Sequence, residues 1–264
     1  MTAAAIEDRK MPLGVGNIIS SAFSILFGNF FSVIILAFVP TLIGLVIQGA
    51  LIGWSAMMGT GGPEDFASFS GVGYAISQVA SLVIYGITVA LMVQLAYDAK
   101  LGRPTRIGSY ISPALRSAVP IAVLAFIMTI LMIIGFLLLV IPGLWIYAVF
   151  SVMPAAVVIE RVGFGGLRRS AQLTKEYRWP IIGAMILAFI FLMVFGVIAV
   201  FIAGGLMAVL GSLGSLGIAM TVVVLAAIYA ITYGFAGILV ALIYARLREI
   251  KEGVSVDQIA SVFD

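Results

Sequence analysis

The chain has 264 residues, of which 63% are apolar and only 9% charged, with a formal net charge of +3. A soluble domain carries roughly 25% charged residues because its surface faces water, so a water-soluble globule is excluded. Cysteine and histidine are both absent, which removes disulfides, thiolate nucleophiles, the usual zinc ligands and the usual general base together.

Residues 1–12, MTAAAIEDRKMP, lack the basic, then apolar, then small-residue order of a cleavable signal peptide, so the first apolar segment is expected to be retained. Leu13, Ile18, Ile19, Ala22, Phe23, Ile25 and Leu26 predict an interfacial helix over 13–28. A span over 30–57 follows, with Pro40 as a kink. The turn-rich GTGGPEDFAS holds Glu64 and Asp65 and no cation. A second span covers 72–97. The next connection carries Lys100, Arg103, Arg106 and Arg116, with a second interfacial helix over 107–117. Residues 117–159 hold no charge, about twice the ~20 residues that one crossing needs. Ile141-Pro142-Gly143 supplies a turn, giving spans over 119–140 and 143–159.

Residues 160–180, ERVGFGGLRRSAQLTKEYRWP, hold five of the fourteen Lys and Arg residues between two long uncharged runs. Phe164, Leu167, Ala171 and Thr174 recur at helical spacing, while Arg168, Arg169, Gln172, Lys175 and Glu176 fall on other faces. That pattern predicts an interfacial helix over 164–177 with its cations toward water and phosphate. Trp179 is expected to anchor the interface, with Pro180 opening the fifth span over 180–209. A Gly-Ser-Leu-Gly-Ser-Leu-Gly turn at 211–217 leads to a sixth span over 218–244. The tail 245–264 is charged, then weakly amphipathic, with Val256, Ile259, Ala260 and Phe263 on one side.

All fourteen cations fall before span one, between spans two and three, between four and five, or after six. The positive-inside rule makes those segments, both termini included, cytoplasmic. The expected fold is a single all-α membrane domain, 1–264, of six transmembrane helices with amphipathic interfacial helices. A weak repeat accompanies it: Val15-Gly16-Asn17-Ile18, Ile107-Gly108-Ser109-Tyr110 and Phe164-Gly165-Gly166-Leu167 each precede an alanine, at 22, 114 and 171. It predicts three pseudo-repeated units, each an interfacial helix plus a transmembrane hairpin, packed about an axis near the membrane normal.

Three pieces, IISSAFSILFGNFFSVIILAFVP, IPGLWIYAVFSVMPAAVVIERVGFGGLRRSAQLTKEYRWPIIG and LIYARLREIKEGVSVDQIASVFD, carry a resemblance over nearly the whole chain. They resemble the membrane-domain family named after glycerophosphoryl diester phosphodiesterases, bacterial six-span proteins. The most specific part is the central block, where Glu160 is followed in order by Arg169-Ser170, Leu173-Thr174-Lys175 and Trp179. The resemblance implies a bacterial cytoplasmic (inner) membrane location. Some members of that family are fused to a soluble phosphodiesterase barrel that carries acidic residues, histidines and a divalent metal. These 264 residues hold no histidine and are not expected to form such a barrel, so the family name transfers no activity, and no metal or cofactor is expected.

The spans contain no acid or base, which disfavours proton-driven transport, and their serines lack a positioned base for hydrolysis. Gln48, Gln78, Gln94 and Thr129 are expected to make interhelical hydrogen bonds or, alternatively, to line a polar cavity. Ala226, Ala230 and Gly234 form a small-residue packing seam, and the glycines at 196, 204, 205, 211, 214 and 217 are expected to serve close packing or a turn. The candidate lipid- or partner-binding residues are Arg103, Arg106, Arg116, Arg168, Arg169, Lys175 and Arg178, a basic collar for anionic headgroups or an acidic partner. Glu160 is expected to form a structural ion pair with Arg168 and Arg169. The expected function is a non-enzymatic scaffold or accessory subunit that binds anionic lipid or a membrane-protein partner, a second copy included, and no nucleic acid. The alternatives are a carrier or channel for a lipid-like or small uncharged solute, and a module assisting a separate lipid phosphodiesterase.

Overall fold

The computed structural model describes residues 11–58, 62 and 70–253. Within them the chain is helical: α1 (Val15–Gly28), α2 (Phe30–Ile52), α3 (Trp54–Met58), α4 (Gly71–Lys100), α5 (Ile107–Leu138), α6 (Val140–Phe150), α7 (Met153–Ile159), α8 (Gly166–Thr174), α9 (Arg178–Leu210) and α10 (Ser215–Glu252). Six segments are long and apolar enough to cross a membrane: α2, α4, α5, α6 with α7 as one, α9 and α10. The chain is thus a multi-pass helical membrane protein. The acidic loop with Glu64 and Asp65, and the apolar tail positions Val256, Ile259, Ala260 and Phe263, lie outside the described residues.

Burial divides the bundle into two halves. Residues 88–97 of α4, 151–159 through α7, and 237–245 of α10 are buried without interruption. A helix segment enclosed on every side reads as a core, and these three pack on one another at the bundle's centre. Elsewhere the spans expose large apolar side chains, such as Phe31, Leu137 and Phe201, as a lipid-facing surface requires. Small residues permit the central approach. A Cβ on Gly237 would strike Met92 of α4, and one on Gly234 would strike Val33 of α2. Ala226 and Ala230, both fully buried, continue that seam toward the other end. By contrast, Gly196, Gly204, Gly205 and Gly211 face open space, so close packing does not explain them.

Several boundaries differ from the sequence expectation for local reasons. The span expected over 30–57 ends at Ile52, because Gly53 takes φ 91, a conformation glycine permits, before the short α3. The expected interfacial helix over 107–117 and the span over 119–140 form one continuous helix, α5, with Pro113 and Pro120 inside it. The following hairpin turns at Leu139 alone, in extended conformation, and Pro142 sits in the first turn of α6, where its missing N–H costs no helical bond. Gly135 and Gly143 close that hairpin: a Cβ on Gly135 would stand 3.0 Å from Gly143 Cα. The fourth span is broken at Ser151–Val152, between α6 and α7. The sixth continues to Glu252, eight residues past the expected end, and stops at Gly253 with φ 64, a left-handed C-terminal cap.

Candidate functional site at the charged end of the bundle

Every charged residue described lies at one end of the bundle: the close of α4, the opening of α5, the α7–α9 connection and the close of α10. The burial of the three central segments stops at this end, and the polar groups just beyond them are tied together.

Glu160, the residue after α7, accepts from Arg169 Nε at 2.6 Å and from the Tyr244 hydroxyl, with Arg248 Nε at 3.8 Å. Glu252 accepts from Arg169 Nη2 and, at 2.7 Å, from Arg248 Nε. Two carboxylates and two guanidiniums thus alternate in a closed ring that joins α7, α8 and α10. Burial alone would lower the Arg169 guanidinium, but its hydrogen bonds to Glu160 and Glu252 outweigh that and hold it above its ordinary range. Of the two arginines expected to pair with Glu160, only Arg169 does so. Arg168 is exposed and, among the described residues, makes no ion pair. Successive helical residues point about 100° apart, so one helix cannot aim both at the same carboxylate.

Helix α8 is held from below as well. At the α6–α7 break Val149 O accepts from Ser170 Oγ at 2.8 Å and Thr174 Oγ1 at 3.0 Å, and Pro154 stands in the first turn of α7, where its missing N–H costs no helical bond. Gly166 completes the approach, since a Cβ there would meet Val157 of α7. The buried face is therefore Gly166, Ser170, Leu173 and Thr174. The expected stripe of Phe164, Leu167, Ala171 and Thr174 is displaced: Phe164 is exposed, and Leu167 and Ala171 are half-buried. The helix itself runs only from Gly166 to Thr174, after a short turn at Gly163–Gly165. Two serine-type residues on a docking face resemble solvent positions in sequence, so only the nearby proline-containing break could have pointed to them.

The other basic residues fall into two groups. Arg103, Arg106, Arg116 and Lys175 are exposed, together with Arg161. Arg178 is half-buried, lies 5.2 Å from the Trp145 ring centre, and its Nε is buried without a hydrogen-bond partner among the described residues. Trp179 is 63% exposed and meets Trp145 edge to face at 5.4 Å, as an interfacial aromatic can. The remaining acids near these cations are largely paired internally. The Tyr110 hydroxyl donates to Asp98 Oδ2, and Arg246 Nη1 lies 2.9 Å from Glu249.

The polar residues within spans divide likewise. Gln94 donates to Ala90 O and, across to α5, to Tyr110 O at 3.1 Å. Gln78 and Thr129 bond within their own helices. Gln48 lines a cavity of about 190 Å³ with Thr41, Ser81, Tyr85, Tyr229 and Tyr233. Gln94 borders a different one at the charged end, of about 380 Å³. The two share no lining residue, and along α4 Met92, which packs on Gly237, falls between Thr88 of the first and Gln94 of the second.

No family model, curated protein or solved structure matches the chain.

Proposed function

We propose that this chain is a non-enzymatic membrane scaffold or accessory subunit whose charged end engages anionic lipid headgroups. The observation that carries the reading is an imbalance. Glu160, Glu252, Asp98 and Glu249 are occupied by partners inside the bundle, whereas Arg106, Arg116, Arg161, Arg168 and Lys175 are exposed at the same end. Cations in that layer gain about 1 kcal/mol each near an anionic leaflet. Arg169 has a different role, because its charge is balanced by two carboxylates; its part is structural. The positive-inside rule assigns this end to the cytoplasm, and the resemblance to the bacterial six-span family assigns the protein to an inner membrane.

Three pseudo-repeated units, in the same reading, explain why the charges converge. The second span of each unit supplies one of the buried central segments, in α4, α7 and α10. Each interfacial element packs on the second span of the preceding unit: the start of α5 on α4, α8 on α6 and α7, and α1 on α10. That closed cycle favours an axis near the membrane normal.

The experiment compares retained phosphatidylglycerol in native mass spectra of the wild type and of the variant Arg116→Gln/Arg168→Gln/Lys175→Gln. Fewer bound lipids in the variant, with unchanged thermal stability, support the reading; equal retention removes it.

A second reading, a carrier for a small uncharged solute, is favoured by the hydroxyl-lined cavity at Gln48. Its weakness is the close packing of Met92 on Gly237 between that cavity and the charged end. The third, a module assisting a separate lipid phosphodiesterase, rests on the family resemblance alone.

A further inference from the structure

We infer that the cavity between the end of α4, the start of α5 and Arg161 is a discrete binding site for a phosphate group of the kind carried by an anionic glycerophospholipid. The inference rests on the reading of the charged end as lipid-binding, and replaces a diffuse rim with one built pocket. The space is about 380 Å³, walled among others by Tyr97, Arg103, Arg106, Ser109 and Arg161.

Four observations converge on it. Three guanidinium groups border the cavity against one carboxylate, Asp98, which already accepts from the Tyr110 hydroxyl. The N-terminus of the 32-residue α5 borders it, adding the positive end of a helix dipole. Tyr97 is 3% exposed, and its hydroxyl has no hydrogen-bond partner among the described residues. A buried phenol without a partner is costly, and a phosphate oxygen would accept its proton. Finally, Arg161, the residue past the Glu160 cap of α7, takes φ 53 at a position where glycine is the usual residue. An arginine held in that conformation places its guanidinium at the cavity at a backbone cost that glycine would avoid.

The neighbouring cavity favours a lipid over a soluble phosphate. It shares Pro113 and Arg161 with the first, adds Arg116, and continues between α5 and α7 along Ser117, Pro120, Val157 and Val158. A charged pocket that runs into a largely apolar groove between spans suits a headgroup with its acyl chain attached.

The test uses the full chain in a neutral detergent, with dioleoylphosphatidylglycerol and, separately, inorganic phosphate as probes, read by native mass spectrometry and by thermal shift. Arg161→Gly relieves the backbone, and Tyr97→Phe keeps the ring, so neither change threatens folding. Each is expected to weaken phosphatidylglycerol retention about tenfold. Arg168→Gln/Lys175→Gln, outside the cavity, leaves the tightest lipid in place. Should inorganic phosphate bind and depend on Arg161 and Tyr97 while lipid retention does not, the site takes a soluble phosphate and the lipid assignment is overturned. Should Arg168→Gln/Lys175→Gln lower retention while Arg161→Gly and Tyr97→Phe do not, and phosphate fail to bind, the pocket falls and the basic rim survives. If no variant changes retention of either probe, both readings fall.

Discussion

Arg169 Nε donates to Glu160 Oε2 across 2.6 Å, joining the residue that closes the fourth span to the amphipathic helix beyond it. Both side chains are about one-fifth exposed, between the exposed pairs that contribute ~0–1 kcal/mol and the buried ones that cost ~3–5 kcal/mol when broken. A double-mutant cycle of Glu160→Gln and Arg169→Gln is expected to give a coupling of about 1–2 kcal/mol. Thermal unfolding of the wild type, both single variants and the double variant measures it. Additive effects would mean that water already screens the pair.

The hydroxyls of Ser170 and Thr174 converge on Val149 O. Removing both in Ser170→Ala/Thr174→Val leaves a buried carbonyl short of donors, at a cost of about 1–3 kcal/mol. Either single change should cost less, since the other hydroxyl remains. Amide hydrogen exchange of α8 reads the effect directly: faster exchange over residues 166–174 is expected in the double variant.

Glycines offer a paired control. Gly237→Leu forces a side chain into Met92 and is expected to destabilise the bundle by about 1–3 kcal/mol or more. Gly196→Ala meets nothing and fills a helix position that favours alanine, so its melting temperature should be unchanged or slightly higher. A matching loss in both variants would contradict the packing described for α9 and α10.

The absence of cysteine makes topology directly measurable. Lys175→Cys should resist a membrane-impermeant maleimide in intact cells and react once the membrane is opened. Gly62→Cys, in the loop between α3 and α4, should react from outside. The reverse pattern would invert the orientation.

The six spans were legible because 18 or more consecutive apolar residues have no alternative to lipid, and the ends of α9 fell within two residues of expectation. Charge segregation located the charged end of the bundle for the same reason. What stayed hidden was set by tertiary contacts. Nothing in Ile107–Leu138 marks one continuous helix, because two prolines are the usual sign of interruption. Glu252 joining Arg169, 83 residues apart, has no local signature. Arg161 and Tyr97 escaped notice because the first reads as one more cation in a basic stretch and the second as one more aromatic in a span. Their importance lies in a backbone angle and an unmet hydroxyl, and both are properties of the folded chain.

The most direct measurement of the proposed lipid-binding role is native mass spectrometry of the protein gently extracted from its own membrane. Tightly retained anionic phospholipid, released when the exposed arginines are neutralised, is the expected result. A bare monomer that carries neither lipid nor partner would contradict it.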